Sequence, residues 1–136
     1  MKVREATGAD EIAVVALWQA CGLVSPPNDP VEDFRFAVAG ACSAVLLADD
    51  AAGAVIGSVM VGHDGHRGWL YYVAAAPVVR GQSVGREVVT AAEDWLRQRG
   101  VVKAQLMVRE TNTGVVGFYE RLGFEVTPRV VMGKRL

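Results

Sequence analysis

The chain is 136 residues long, the size of one domain, and no Pro/Ser-rich or charge-rich stretch offers a linker that would divide it. Hydrophobic residues make up 51% and charged ones 21%, enough apolar material for a buried core and too little charge for a disordered chain. Fourteen basic against fifteen acidic residues give a formal net charge of -1, which excludes a global field for nucleic acid or an anionic membrane, so any anion must be held locally.

Met1 to Glu5 alternates charged with apolar residues and lacks the apolar block of a secretory signal, and no later run approaches membrane-spanning length. A cytoplasmic protein is expected. Residues 2–6 read as a short strand, and Thr7 as the cap of a helix with Val14, Leu17, Trp18 and Cys21 at helical spacing and Gly22 as its stop. After the turn-rich Ser25-Pro26-Pro27-Asn28, the run Asp29-Pro30-Val31-Glu32 combines a capping side chain, a proline at the first helical position and an acid at the third, predicting a helix to about Gly40. Residues 43–48 and 54–61 form a hairpin around the Gly53 loop. A second turn cluster, residues 62–68, leads into a third consecutive antiparallel strand at Trp69-Leu70-Tyr71-Tyr72-Val73. Val84, Val88, Ala92, Trp95 and Leu96 then mark a long helix to Arg99, stopped by Gly100. Residues 103–108 alternate as a half-buried strand, 113–122 make a further helix ended by Gly123, and 124–132 are expected to supply one or two closing strands. The order is that of an α/β or α+β protein with helices on the faces of a mixed sheet. Cys21 and Cys42 have neither metal-ligand spacing nor a nearby His and read as buried free thiols.

The segment that carries chemistry is Arg80-Gly81-Gln82-Ser83-Val84-Gly85-Arg86, where a strand enters a two-glycine loop and a helix begins at once. Unpaired N–H groups and the helix dipole at such a terminus suit a phosphate or pyrophosphate, and Arg80 and Arg86 add charge. Plain turn chemistry explains the same residues when they are taken alone. The segment is not a Walker loop, because no Gly-Lys-Ser/Thr follows, and it lacks the spacing of a dinucleotide-binding turn.

Further along comes Asn112-Thr113-Gly114-Val115-Val116-Gly117-Phe118-Tyr119-Glu120-Arg121-Leu122-Gly123-Phe124. The pair of motifs, Arg-Gly-Gln-x-x-Gly before a long helix and then Asn with Phe-Tyr-Glu-x-Leu-Gly-Phe, resembles the GNAT superfamily of acetyltransferases over essentially the whole chain. Pro27-Asn28-Asp29-Pro30 together with residues 62–68 further resembles a subgroup of small bacterial GNAT proteins. The resemblance implies one domain, residues 1–136, with a mostly antiparallel mixed sheet of about six or seven strands and about four helices. It implies acetyl-CoA as co-substrate and no metal. The pantetheine arm would lie against backbone groups of Val73, Ala74 and Ala75, in an opening opposite residues 106–108. The pyrophosphate would lie on N–H groups from Arg80, Gly81, Gln82, Ser83, Val84 and Gly85. Asn112 would lie beside the arm, and Tyr119 would direct its phenol at the thioester sulfur. Ser83 stands where the family usually has glycine, which would be strained if the site demands positive φ, and Val115 where it favours a small residue.

By the same resemblance, a primary amine of a small molecule or a protein attacks the thioester directly, with Tyr119 as acid for the departing thiolate. Asp64 and His66 are candidates for base work or amine binding, and Asn28 and Asp29 for the acceptor pocket beside Trp18 and Phe34. Asp29 is equally well explained as a helix cap, and Trp18 as core. A non-catalytic CoA-binding module and an acyltransferase using another acyl-CoA remain alternatives. No nucleic acid or membrane partner is expected, and exposed edge strands leave room for a homodimer.

Overall fold

The computed structural model describes all 136 residues as two compact units, Met1–Leu106 and Met107–Leu136. The first holds β1 (Lys2–Glu5), α1 (Glu11–Ala20), α2 (Pro30–Ala39), β2 (Ser43–Asp49), β3 (Val55–His63), β4 (Gly68–Ala75), α3 (Val84–Arg97) and β5 (Ala104–Leu106). Its sheet runs in chain order from β1 to β5, antiparallel throughout except for the parallel pair of β4 and β5.

The apolar run of β2 is buried from Ala44 to Asp49, which is what a strand covered on both faces requires. One face carries Val45 and Leu47, packed with Val14, Leu17 and Trp18 of α1 and Phe34 and Ala37 of α2. The opposite face, marked by Ala48, meets α3, because a side chain added at Gly57 would touch both Ala48 and Val84. Helix α3 presents the expected buried set of Val84, Val88, Ala92, Trp95 and Leu96. Its neighbours on the sheet are cut back to receive it. A Cβ at Gly57 would lie 2.4 Å from Val84 Cγ1, and one at Gly68 would lie 2.6 Å from Leu96 Cδ1. At the far edge, Arg4 donates to both oxygens of Asp10 at 2.9 and 3.0 Å and to Asp49 at 2.6 Å, tying β1 to β2 and to the turn that leads into α1.

The second unit holds α4 (Thr113–Arg121), stopped by Gly123 at φ 94°. The closing strands expected over 124–132 do not form, so the sheet has five strands rather than six or seven. Val126, Val130, Val131 and Met132 are exposed, and Pro128, which has no N–H to give a ladder, breaks the run. The cysteines also differ from expectation: Cys21 is half-buried and Cys42 exposed. No helix is long and apolar enough to cross a membrane.

Candidate active site

Strand β4 is interrupted where the site begins. Ser58 pairs with Ala74 and Met60 with Tyr71, so two steps along β3 are matched by three along β4, and the additional residue makes a bulge. Tyr72 sits there at φ 51°, the left-handed region that side chains other than glycine rarely occupy. The bulge also reverses which face each residue meets. Gly68 faces Leu96 of α3, whereas Ala74, an even number of residues away, packs with α1 and α2. A chain of contacts holds this conformation. The ring of Trp18 stacks on Tyr72 at 3.8 Å, the Trp18 Nε1–H donates to Ser58 Oγ at 2.9 Å, and Ser58 Oγ–H donates to the Tyr72 carbonyl at 3.0 Å. The Tyr72 hydroxyl donates to Asp33 Oδ2 of α2 at 2.7 Å. Burial, and then Asp33, hold the Tyr72 phenol well above its ordinary pKa.

On its other side β4 loses its neighbour at the same place. The β4–β5 ladder covers only Gly68↔Ala104, Trp69↔Gln105 and Leu70↔Leu106, and from Tyr71 to Ala75 β4 is paired on the β3 side alone. Val73 and Ala75 are half-buried along this stretch, and the Cys21 thiol donates to the Ala75 carbonyl at 3.3 Å.

Past Ala75 a single turn, Pro77–Val79, leads to Arg80, Gly81, Gln82 and Ser83, all exposed, and then to α3. Gly81 has φ 87° and Ser83, at the N-cap, φ 66°. The positive φ that glycine would satisfy is therefore imposed on a serine, at a cost of about 1–2 kcal/mol. In that conformation the Ser83 side chain makes no capping hydrogen bond, so the N–H groups of Val84, Gly85 and Arg86 lack the acceptor a helix start usually has. The Gln82 N–H is committed to the Val79 carbonyl at 3.1 Å and is not free for a ligand. An open terminus of a fourteen-residue helix, with exposed Arg80 and Arg86 beside it, can hold a phosphate or diphosphate.

The structure separates Asp64 and His66 from this place. Their turn precedes Gly68, at the start of the eight-residue β4, whereas the glycine loop follows its end. The Asp64 carboxylate is also occupied. It accepts the N–H groups of Arg67 at 2.8 Å and His66 at 2.9 Å, which hold its pKa below the usual carboxylate range, and the Trp69 Nε1–H at 3.3 Å. It shapes its turn and is a poor base. Asp29 caps α2, accepting from Val31 and Glu32 at 3.0 and 3.2 Å; Asn28 is exposed and its N–H closes the preceding turn on Ser25. Trp18 and Phe34 are core. No group of three or more His, Cys, Asp or Glu side chains is placed to hold a metal ion.

In the second unit, Asn112 is the N-cap of α4, exposed and without a side-chain capping bond, while its backbone N–H donates to Arg109 at 2.9 Å. Tyr119 lies edge-on to Phe118 at 5.0 Å and Phe124 at 5.8 Å, and burial raises its pKa above the ordinary phenol value. The residues that sequence reasoning passed over are Tyr72, Ser58, Asp33 and Gly57. A lone hydroxyl in the apolar run Val55 to Val61 was the one local sign of Ser58.

A family model described as Acetyltransferase (GNAT) family matches residues 11–124. The chain belongs to the GNAT acetyltransferase family. A relative from Pectobacterium atrosepticum named as an acetyltransferase is 39% identical over 136 residues, covering 100% of this chain and 96% of its own. Among solved structures, an apo aminoglycoside 6'-N-acetyltransferase from Acinetobacter haemolyticus superposes with a TM-score of 0.83 at 17% identity, over 100% of this chain and 99% of that one. AAC(6')-Iy in complex with the bisubstrate analogue CoA-S-monomethyl-acetylneamine does so with a TM-score of 0.84 at 18% identity, over 99% of this chain and 97% of that one. At these identities the two structures establish the shared GNAT fold.

Proposed function

We propose that this protein is a cytoplasmic, acetyl-CoA-dependent N-acetyltransferase that moves the acetyl group directly to a primary amine of a small molecule or a protein. The observation that carries this reading is the open N-terminus of α3, which follows, after one short turn and loop, a bulged strand whose ladder to β5 ends at Leu70↔Leu106. That arrangement suits an ester of CoA: backbone of residues 73–75 for the pantetheine amides, and the N–H groups of Val84, Gly85 and Arg86 for the diphosphate. Both units belong to one catalytic domain in this reading, supported by a family match that runs across both.

In the reaction the amine nitrogen bonds to the thioester carbonyl carbon, the C–S bond breaks, and the nitrogen gives up a proton as the sulfur gains one. The protein chiefly holds the reactants in line. An alkylamine, with pKa about 10.4, reaches the carbonyl in its neutral form. Tyr119 gives its proton to the departing sulfur, and its raised pKa keeps the phenol protonated at neutral pH.

Isothermal titration with acetyl-CoA, desulfo-CoA and ATP is the test. Binding of both CoA compounds with little affinity for ATP is expected, and failure to bind either overturns the reading. Once an amine acceptor is found by thiol release, Tyr119→Phe is expected to lower kcat about 100-fold with the acetyl-CoA KM little changed. Wild-type protein that binds CoA but acetylates nothing in a broad amine screen would favour a binding module instead.

A further inference from the structure

Ser58 is fully buried in the middle of β3, where an alanine would fill the space with no polar group to satisfy. Its hydroxyl is used twice, accepting from Trp18 and donating to the Tyr72 carbonyl. Tyr72 is the only residue of β4 with positive φ, and its side chain is held at both ends, by the stacked indole of Trp18 and by the Asp33 carboxylate. Three elements, α1, α2 and β3, thus converge on one strained residue of β4. A bulge needed only to end a strand would not require them, because a glycine at position 72 would adopt the same φ without strain.

We propose that Trp18, Ser58, Tyr72 and Asp33 form a clamp that fixes the β4 bulge, and that they are positioning residues for acyl-CoA binding although none of them needs to touch it. This rests on the acetyl-CoA reading above. The bulge decides which backbone groups of residues 73–75 pair with β3 and which are left along the stretch that β5 does not cover. Ser58 holds the Tyr72 carbonyl, the backbone group immediately before Val73, and so sets the phase of that stretch. Loss of the clamp lets the strand relax toward a regular ladder, in which alternate groups change sides.

The test compares wild type, Ser58→Ala, Ser58→Thr, Trp18→Phe and a core truncation on the first regular rung beyond the bulge, Val61→Ala. Each is read by titration with acetyl-CoA and desulfo-CoA, by melting, and by amide exchange of residues 71–76. Ser58→Ala is expected to raise both dissociation constants about tenfold and to speed exchange at 71–76. Ser58→Thr, which keeps the hydroxyl, is expected to recover most of the affinity. Val61→Ala is expected to lower the melting temperature comparably while leaving affinity within about twofold. Should Ser58→Ala fail to fold, Trp18→Phe, which removes the indole donor together with part of the ring stacked on Tyr72, reads the same coupling. Equal affinity in wild type and Ser58→Ala, or parallel losses in Ser58→Ala and Val61→Ala, would overturn the clamp alone. Wild-type protein that binds neither CoA compound would overturn the acetyl-CoA reading and, with it, the clamp's role.

Discussion

Helix α2 begins behind Asp29, whose carboxylate accepts the N–H groups of Val31 and Glu32, whereas α3 begins behind Ser83, whose side chain accepts none. Both helices lie on the same sheet and both contribute buried faces to it. The longer one, with more dipole to neutralise, is the one left open, and its cap residue is held in the conformation that keeps it open. A terminus closed by its own side chain serves folding. One that forgoes a contribution of about 1 kcal/mol and accepts left-handed strain as well is suited to an acceptor supplied from outside.

Putting at the start of α3 the residue that stands at the start of α2 is the strongest way to break this contrast. Ser83→Asp would place a carboxylate beside the terminus of α3, and at about 4 Å and an effective dielectric of about 20 its repulsion from each charge of a diphosphate is about 4 kcal/mol. With solvent screening, the acetyl-CoA dissociation constant should rise about 100-fold in isothermal titration, with little change in melting temperature. An unchanged constant would mean that the anion binds elsewhere. Next comes Gly57→Ala, whose methyl would lie 2.4 Å from Val84 Cγ1 and 3.3 Å from the Ala74 carbonyl. It should cost about 1–3 kcal/mol in urea unfolding and weaken CoA binding as well, because it displaces the first residue of α3. Asp29→Ala tests the other terminus. A loss of about 1 kcal/mol, or about 4 °C in melting, is expected with acetyl-CoA affinity within about twofold of wild type. Ser83→Gly is the smallest effect, since relief of left-handed strain is largely offset by the freedom glycine gains in the unfolded chain. A net stabilisation of a few tenths of a kcal/mol is expected; a clear destabilisation would show that Ser83 contributes something its conformation does not reveal.

Local signals were readable in the sequence and long-range ones were not. Asp29-Pro30 announced α2, and the spacing from Val84 to Leu96 announced α3, because caps and helical faces are set by residues a few positions apart. Ser83 was conspicuous as a serine in a glycine position, and the residue does adopt positive φ. The bulge at Tyr72 left no such trace. A tyrosine is among the last residues one would place at φ 51°, and the partners that hold it are fourteen, thirty-nine and more residues away in the chain. Asp64 and His66 were readable as turn residues, but the sequence did not say that the Asp64 carboxylate is taken up by the N–H groups of His66 and Arg67. Residues 124–132 alternate as a strand would, yet alternation specifies only a face and not an edge to pair with.

The missing side chains of Gly57 and Gly68 act together on α3. One receives Val84 at the first residue of the helix and the other Leu96, twelve residues or about 18 Å further on, so the rod rests in two notches and can neither slide nor tilt without climbing out of one. An anion arriving at its open end meets a fixed target. Little of the binding free energy is then diverted into ordering the receptor, and association at this terminus should proceed as rigid docking, with a rate governed by diffusion and ionic strength rather than by a closing motion.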